Sequence, residues 1–220
     1  MIDILSILKS TKALLTDDHF VYTSGKHGSV YINKDILYTN PEKSSLVGKA
    51  FAEKSKDFSV DGVEAPALGG IVLSQWTAYH LSLLLNRPVL AVYTEKTPEK
   101  DQIFTRGYDA VINKRRVLIV EDLVTTGGSV QKVIESVKKA NGNVVSVGVM
   151  VDRSPQDSPV TSKTIGAQFF SLGRLPVEIY DVTNCPLCKE NVPINIDVGH
   201  GKKFLQLKRF SEKIAKKRTL

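Results

Sequence analysis

Four stretches of the chain are near-continuous apolar runs: GVEAPAL (62–68), PVLAVY (88–93), RVLIVED (116–122) and NVVSVGVMVD (143–152). They lack strict alternation, which is how a parallel strand covered on both faces reads. GAQFFSL (166–172) and LPVEIYDV (175–182) are weaker strand candidates. Between the runs, apolar residues at helical spacing predict helices over Ile71–Leu85 and Gly128–Ala140. Asn141-Gly142 supplies a C-cap signal for the second. Strands alternating with helices predict an α/β domain built on a doubly wound parallel sheet.

Three regions fall outside that rhythm. Residues 94–115, TEKTPEKDQIFTRGYDAVINKR, form a long polar insert between two buried strands, which predicts a functional or mobile loop. Residues 1–60 lack the parallel-strand pattern. MIDILSILKSTKALL has apolar residues at helical spacing, and HFVYTSGKHGSVYINKDILY reads as short irregular strands forming a cap. At the far end, Phe204, Leu207 and Phe210 recur at helical spacing within KKFLQLKRFSEKIAKKR, a basic amphipathic helix. The expected organisation is an N-terminal helix and cap over 1–60, an α/β core over 61–182, and a loop with a basic helix over 183–220.

Composition narrows the class. With 42% hydrophobic and 24% charged residues the chain suits a soluble globular protein. No apolar run is long enough to span a bilayer. The N-terminus has neither a basic leader nor a small-residue cleavage site, so a cytoplasmic location is expected. The net charge of +7 fits nucleic acid, a membrane surface or anionic small substrates. No zinc-finger spacing, RNA-binding aromatic motif or basic-zipper heptad accompanies the charge, so neither nucleic acid nor membrane is expected as a partner. The only cysteines, Cys185 and Cys188, form one CPLC unit. One such pair supplies two of the four ligands of a structural zinc. Asp197 and His200, or a second subunit, are candidates for the rest. The favoured reading is two reduced thiols in a surface turn and no protein-held metal.

The most informative stretch is VLIVEDLVTTGGSV (117–130). An apolar run ends in Glu121 and Asp122, and Leu123-Val124 leads into Thr125, Thr126, Gly127, Gly128 and Ser129. In an open α/β sheet, ligands bind outside the carboxyl ends of the strands. Successive backbone N–H groups in a glycine-rich turn opening a helix surround a phosphate, and the hydroxyls add donors. The acids repel that phosphate but suit neutral hydroxyls or a metal beside it. A phosphate next to vicinal hydroxyls describes a ribose 5-phosphate. Helix capping alone accounts for the threonines and glycines. It does not account for two adjacent acids where a buried strand ends.

This stretch resembles the phosphoribosyl-diphosphate motif of the type I phosphoribosyltransferases. In that family the acids hold the ribose hydroxyls and the turn wraps the 5-phosphate. The resemblance implies a central parallel sheet flanked by helices, with a small N-terminal hood. Other segments are similar to the orotate phosphoribosyltransferases: HFVYTSGKHGSVYINKD (19–35) to their N-terminal cap, EAPALGGIVLSQWTAYHL (64–81) to their pyrophosphate-loop region, and VMVDRS (149–154) to their Asp-Arg segment. The resemblance implies a phosphoribosyl-diphosphate site of residues 121–129 with Gly69 and Gly70. It also implies an orotate site of Thr125, Arg153, Tyr31, Ile32 and Lys34. Arg offers a bidentate fork for the orotate carboxylate; a surface Arg after a strand is the bland alternative. Tyr22 and His27 are read as structural or surface residues.

The resemblance further implies transfer of 5-phosphoribosyl from its diphosphate to orotate, with Mg2+ bound mainly through the diphosphate. A closing loop carries Lys96, Lys100 and Arg106 as catalytic residues beside Asp122 and is shared across a homodimer. Two departures stand out. Gln102 lies near the place of the family's loop His, and Leu68-Gly69-Gly70 lacks the Lys that many relatives carry. The alternatives are the same transfer to another base, or a non-catalytic regulator that keeps the ribose-phosphate pocket.

Overall fold

The structure is a computed structural model, and it describes residues 2–218. Its strands, in chain order, are β1 (Leu14–Leu15), β2 (Phe20–Val21), β3 (His27–Gly28), β4 (Tyr31–Ile32), β5 (Gly62–Pro66), β6 (Leu90–Lys96), β7 (Gln102–Ile103), β8 (Arg116–Val124), β9 (Asn143–Asp152) and β10 (Phe169–Arg174). The helices are α1 (Ile4–Ser10), α2 (Lys34–Tyr38), α3 (Pro41–Ser55), α4 (Gly69–Leu85), α5 (Tyr108–Ile112), α6 (Gly128–Lys139), α7 (Ser162–Ile165), α8 (Pro186–Lys189) and α9 (Gly201–Arg218). Two compact units emerge. One holds residues 1–11 and 34–176, the other residues 12–33 and 177–220.

The larger unit is built on a six-stranded sheet in the order β10-β9-β8-β5-β6-β7. All its pairings are parallel except the last, where β6 and β7 form an antiparallel hairpin. The four strong apolar runs became β5, β6, β8 and β9, and GAQFFSL became β10. Their side chains are buried because helices cover the sheet: Val63, Ala65, Val117, Ile119, Val147 and Val149 have no exposed surface. LPVEIYDV (175–182) forms no strand, only a single bridge from Tyr180 to His27. Sequence order runs outward from β5 in both directions, to β6 on one side and β8 on the other. The switch point of the topology therefore lies between β5 and β8, where open sheets leave a crevice at their carboxyl ends.

Both expected helices are present. After α6, Asn141 takes φ +59°, and Gly142 donates from its N–H to the Val137 carbonyl, 2.9 Å. The sequence pattern had no helix over 41–55, yet α3 spans it, with Asn40 accepting at its start from the Lys43 N–H. Its buried face sets Val47 and Phe51 among small residues, Ser44, Gly48, Ala50, Ala52 and Ser55. A Cβ on Gly48 would stand 2.4 Å from Cβ of Trp76, so α3 and α4 meet at close range. α1 starts on Asp3, whose carboxylate accepts from the Leu5 and Ser6 N–H groups.

The polar insert is also ordered differently from expectation. β6 runs on through Thr94-Glu95-Lys96 because the polar residues pair with β7, Glu95 with Ile103 and Lys96 with Gln102. Gln102 is buried, and its carbonyl accepts from Ser136 Oγ of α6. Lys132, also on α6, donates to the Lys100 carbonyl and pairs with Asp101 at 3.2 Å.

The smaller unit contains two antiparallel ladders, β1 with β4 and β2 with β3. Tyr22 donates to the Val30 carbonyl at 2.6 Å, and Gly28 lies beneath its ring, too close for any Cβ. The basic C-terminal segment is the helix α9.

Candidate active site

β8 is nine residues long and β5 only five, and the first residue of β5 pairs with the second of β8, Gly62 with Val117. β8 therefore outruns its neighbour and delivers Glu121 and Asp122 to the rim of the switch-point crevice. Both are buried. The Glu121 carboxylate accepts from the Asp122 N–H at 2.9 Å. Burial, and then the neighbouring Asp122 charge, push the Glu121 carboxyl well above the ordinary carboxylate range. Glu121 thus tends to hold its proton.

Lys34, the first residue of α2, donates from Nζ to Oδ2 of Asp122. Burial pulls the Lys34 pKa down, but the Asp122 carboxylate outweighs it and the ammonium is held above its ordinary value. One turn on, burial and then the Asp122 and Glu121 charges keep the Tyr38 phenol protonated. Opposite these groups is the loop that follows β5, in which the Ala67–Leu68 peptide is cis. A Cβ added to Gly69 would sit 3.0 Å from Tyr38 Cε2, 3.1 Å from Asp122 Oδ2 and 3.5 Å from Lys34 Cε. The absence of a side chain at Gly69 keeps this corner open. Gly70 lies against Ala65, where a Cβ would meet another at 2.7 Å, so helix α4 starts tight on the strand.

Beyond β8 the chain turns through Thr125-Thr126-Gly127 into α6. Residues 123–130 line a hollow of about 170 Å³. Gly127 has φ +82°, and a Cβ there would also meet Ile165 Cδ1 at 2.8 Å. The hollow lies at the N-terminal, positive end of the α6 dipole, an arrangement suited to an anion. On the other flank, Arg153 follows β9, and its N–H donates to the Val124 carbonyl at 2.8 Å. Its side chain is buried. The Asp152 carboxylate shapes this corner by accepting from the Ser154 N–H and hydroxyl, 2.8 and 2.6 Å.

The structure therefore brings Glu121, Asp122, Gly69, Gly70, Lys34, residues 123–129 and Arg153 to the carboxyl ends of three adjacent strands. Tyr38 belongs with them and was missed. An isolated Tyr inside KDILY carries no signal until α2 places it one turn from Lys34. Tyr31 and Ile32 lie in the smaller unit, in β4, with Tyr31 against Phe20. Lys96 and Lys100 make no ion pair with the acids of β8, and Arg106 pairs instead with Glu95 at 3.1 Å.

CPLC departs from expectation. Cys185 is buried, not a surface-turn thiol, and neither Asp197 nor His200 joins it. His19 and His27 do, because the backbone pairs His19 with Ile194 and His27 with Tyr180 on either side of the CPLC turn. His27, read as structural or surface, is fully buried. His200 instead lies 3.1 Å from the Thr23 hydroxyl.

The chain matches the phosphoribosyl transferase domain family over residues 33–166. It is 36% identical over 181 residues to the orotate phosphoribosyltransferase of Caldanaerobacter subterraneus subsp. tengcongensis, covering 82% of this chain and 88% of that one. The Thermotoga maritima enzyme of the same name is 37% identical over 190 residues, 86% of this chain and 94% of its own. Among solved structures, the orotate phosphoribosyltransferase of Aeropyrum pernix superposes with TM-score 0.59 at 25% identity, covering 78% and 93% of the two chains. The Mycobacterium tuberculosis enzyme in complex with 5-phospho-alpha-D-ribosyl 1-diphosphate gives 0.60 at 22% identity, covering 79% and 97%. The chain belongs to the type I phosphoribosyltransferase family, among the orotate phosphoribosyltransferases.

Proposed function

We propose that this enzyme transfers the 5-phosphoribosyl group of phosphoribosyl diphosphate to orotate, giving orotidine 5′-phosphate and pyrophosphate. The observation that carries this reading is the pairing of Glu121 and Asp122 with the phosphate cradle of residues 125–129 at the switch point. The 5-phosphate fits the cradle, and the two ribose hydroxyls fit the acids. A neutral Glu121 donates to one hydroxyl, and Asp122 accepts from another. As the C1–O bond to pyrophosphate breaks and the C1–N bond to the base forms, the ribose takes on oxocarbenium character, which the Asp122 carboxylate stabilises.

Gly69 and Gly70 leave room for the diphosphate. Lys34 reaches that corner and supplies the ammonium that Leu68-Gly69-Gly70 lacks. Thr125 and Arg153 hold orotate, Arg153 through a fork to its carboxylate. Mg2+ fits here as a partner of the substrate's own oxygens, with the Glu121–Asp122 carboxyls nearby; when bound it neutralises leaving-group charge. Lys96, Lys100 and Arg106 add cationic stabilisation from the hairpin and its flank. The enzyme works as a homodimer, a reading supported by an apolar strip on α4 where Tyr79, Leu83 and Leu84 are all more than half or half exposed. No helix among the described residues is long and apolar enough to cross a membrane, which is consistent with action in the cytoplasm.

The test is a panel of bases offered with phosphoribosyl diphosphate and Mg2+, following orotate consumption by absorbance. Orotate turnover far above that of purines is expected. Arg153→Ala should raise the orotate KM strongly, about 30-fold or more, because a carboxylate in a closed site loses its partner at a cost of roughly 2–5 kcal/mol. Preference for another base, or an unchanged orotate KM, would overturn the assignment.

A further inference from the structure

The smaller unit holds a second constellation, unconnected with the transfer chemistry. His19, His27, Cys185 and Cys188 each offer one donor atom, and the four atoms lie within 4.8 Å of one another. His19 Nε2 is 2.8 Å from His27 Nδ1 and 3.7 Å from both sulfurs, and Cys188 Sγ is 3.3 Å from His27 Nδ1. A tetrahedral zinc with Zn–S about 2.3 Å and Zn–N about 2.0–2.1 Å sets its sulfur–nitrogen edges at about 3.5 Å. The observed separations bracket that value.

His19 is also oriented as a metal ligand is. His19 Nδ1 lies 2.8 Å from the Val192 carbonyl. A carbonyl only accepts, so Nδ1 carries the ring proton and Nε2 turns its lone pair to the centre. The His27 ring is fixed edge-to-face against Phe204 with centroids 4.9 Å apart. Both histidine backbones are pinned to the segments flanking CPLC: His27 exchanges N–H···O bonds with Tyr180, and His19 accepts from the Asn195 N–H. Neither cysteine is in a disulfide.

We infer that these four residues form a closed, structural Zn2+ site that staples residues 12–33 to residues 177–200. Two thiolates with two imidazoles select zinc over the hard cations. Four protein ligands leave no open position, so the metal organises chain and does no chemistry. The unit has reason to use one. Among its described residues the buried apolar set is small, comprising Ala13, Phe20, Val21, Tyr22, Ile32 and Val177 beside Cys185, and units with so little core are commonly held by metals or disulfides.

The test uses the full-length, untagged chain expressed with zinc in the medium, with metal content measured by plasma mass spectrometry. About one zinc per chain is expected, released when an organomercurial titrates the thiols. Replacing zinc with Co2+ should give the thiolate-to-cobalt charge-transfer band and intense visible bands of a tetrahedral S2N2 site. The cobalt spectrum is read on the native sequence, so it stands even if Cys185→Ser or His27→Asn fails to fold. Where those variants do fold, their zinc should fall to background. A folded chain that takes up neither metal, or a Cys185–Cys188 disulfide in freshly isolated protein, would overturn the site.

Discussion

The ammonium of Lys34 donates to the Asp122 carboxylate across 88 residues of chain, closing one wall of the candidate site around the open corner at Gly69. Burial, and then the neighbouring Asp122, keep Glu121 prone to hold its proton, while Lys34 pulls the other way. In the proposed function a ribose diol meets this carboxyl pair.

Asp122→Asn keeps the shape but removes the anion, so kcat/KM should fall about tenfold or more, the scale of one charge-assisted hydrogen bond. Lys34→Met should also lose activity, and the double variant should lose less than the product of the two single losses, because each single change leaves a charge unmatched. Steady-state kinetics of the three variants check this. Additive losses would mean that the two groups act separately.

The glycine turn into α6 depends on Gly127 far more than on Gly128. An alanine at 127 must adopt φ +82° and press its Cβ to 2.8 Å from Ile165. The left-handed conformation alone costs about 1–2 kcal/mol. At Gly128 the nearest atom to a Cβ is Thr126 Oγ1 at 3.9 Å. Gly127→Ala should lower the melting temperature by several degrees and raise the phosphoribosyl-diphosphate KM, whereas Gly128→Ala should leave the melting temperature nearly unchanged. Thermal unfolding of both variants decides it.

The sheet was legible because strands buried on both faces leave continuous apolar runs, and the acid pair was legible because such a run ends in charge. α3 was harder to read, because only Val47 and Phe51 among its buried positions are large and apolar, and Ser44, Gly48, Ala50, Ala52 and Ser55 pack by closeness and carry little hydrophobic signal. β7 was hidden by polarity, since Gln102 is buried with its backbone carbonyl accepting from the Ser136 hydroxyl and carries no apolar side chain. The His19–Cys185 association joins residues 166 apart. Each half of it reads as ordinary until the backbone bridges bring the halves together.

Glu64 gives a stability prediction with a definite sign. It sits in the middle of β5 with no exposed surface, and its Oε1 accepts from the Thr94 N–H and hydroxyl. Burial pushes its carboxyl up to about 8, and the Thr94 hydrogen bonds pull only partly the other way. The folded chain therefore holds this proton more tightly than the unfolded chain does. Stability from this group is complete below the unfolded value of 4.5 and is lost as pH rises through about 8. The loss at pH 7 is on the order of 3 kcal/mol. Glu64→Gln cannot ionise, so its melting temperature should exceed that of the native chain increasingly from about pH 5 to about pH 8. Parallel profiles for the two proteins would show that Glu64 does not titrate in this range.

The hairpin formed by β6 and β7 yields the prediction that bears most on mechanism. Its tip, Thr97–Asp101, is held by two backbone hydrogen bonds and by Lys132 of α6. Lys100 stands there exposed at φ +68°, and Arg106 is engaged by Glu95. Lys100, like the exposed Lys96, is less engaged than Arg106, and in the proposed dimer the substrate it would meet lies in the neighbouring subunit. Lys100→Ala and Asp122→Asn homodimers should both be nearly inactive, one lacking the loop cation and the other the ribose acceptor. In a mixed dimer one site carries both defects and the other carries neither. Equal, fully exchanged mixtures should then recover about a quarter of native activity, since half the dimers are mixed and half of their sites are intact. Subunit exchange can be verified by native mass spectrometry before the assay. Mixtures that stay as inactive as their parents would place Lys100 in its own subunit's site or outside the chemistry altogether. The same mixing with Lys96→Ala and Arg106→Ala would then show which cation crosses the interface.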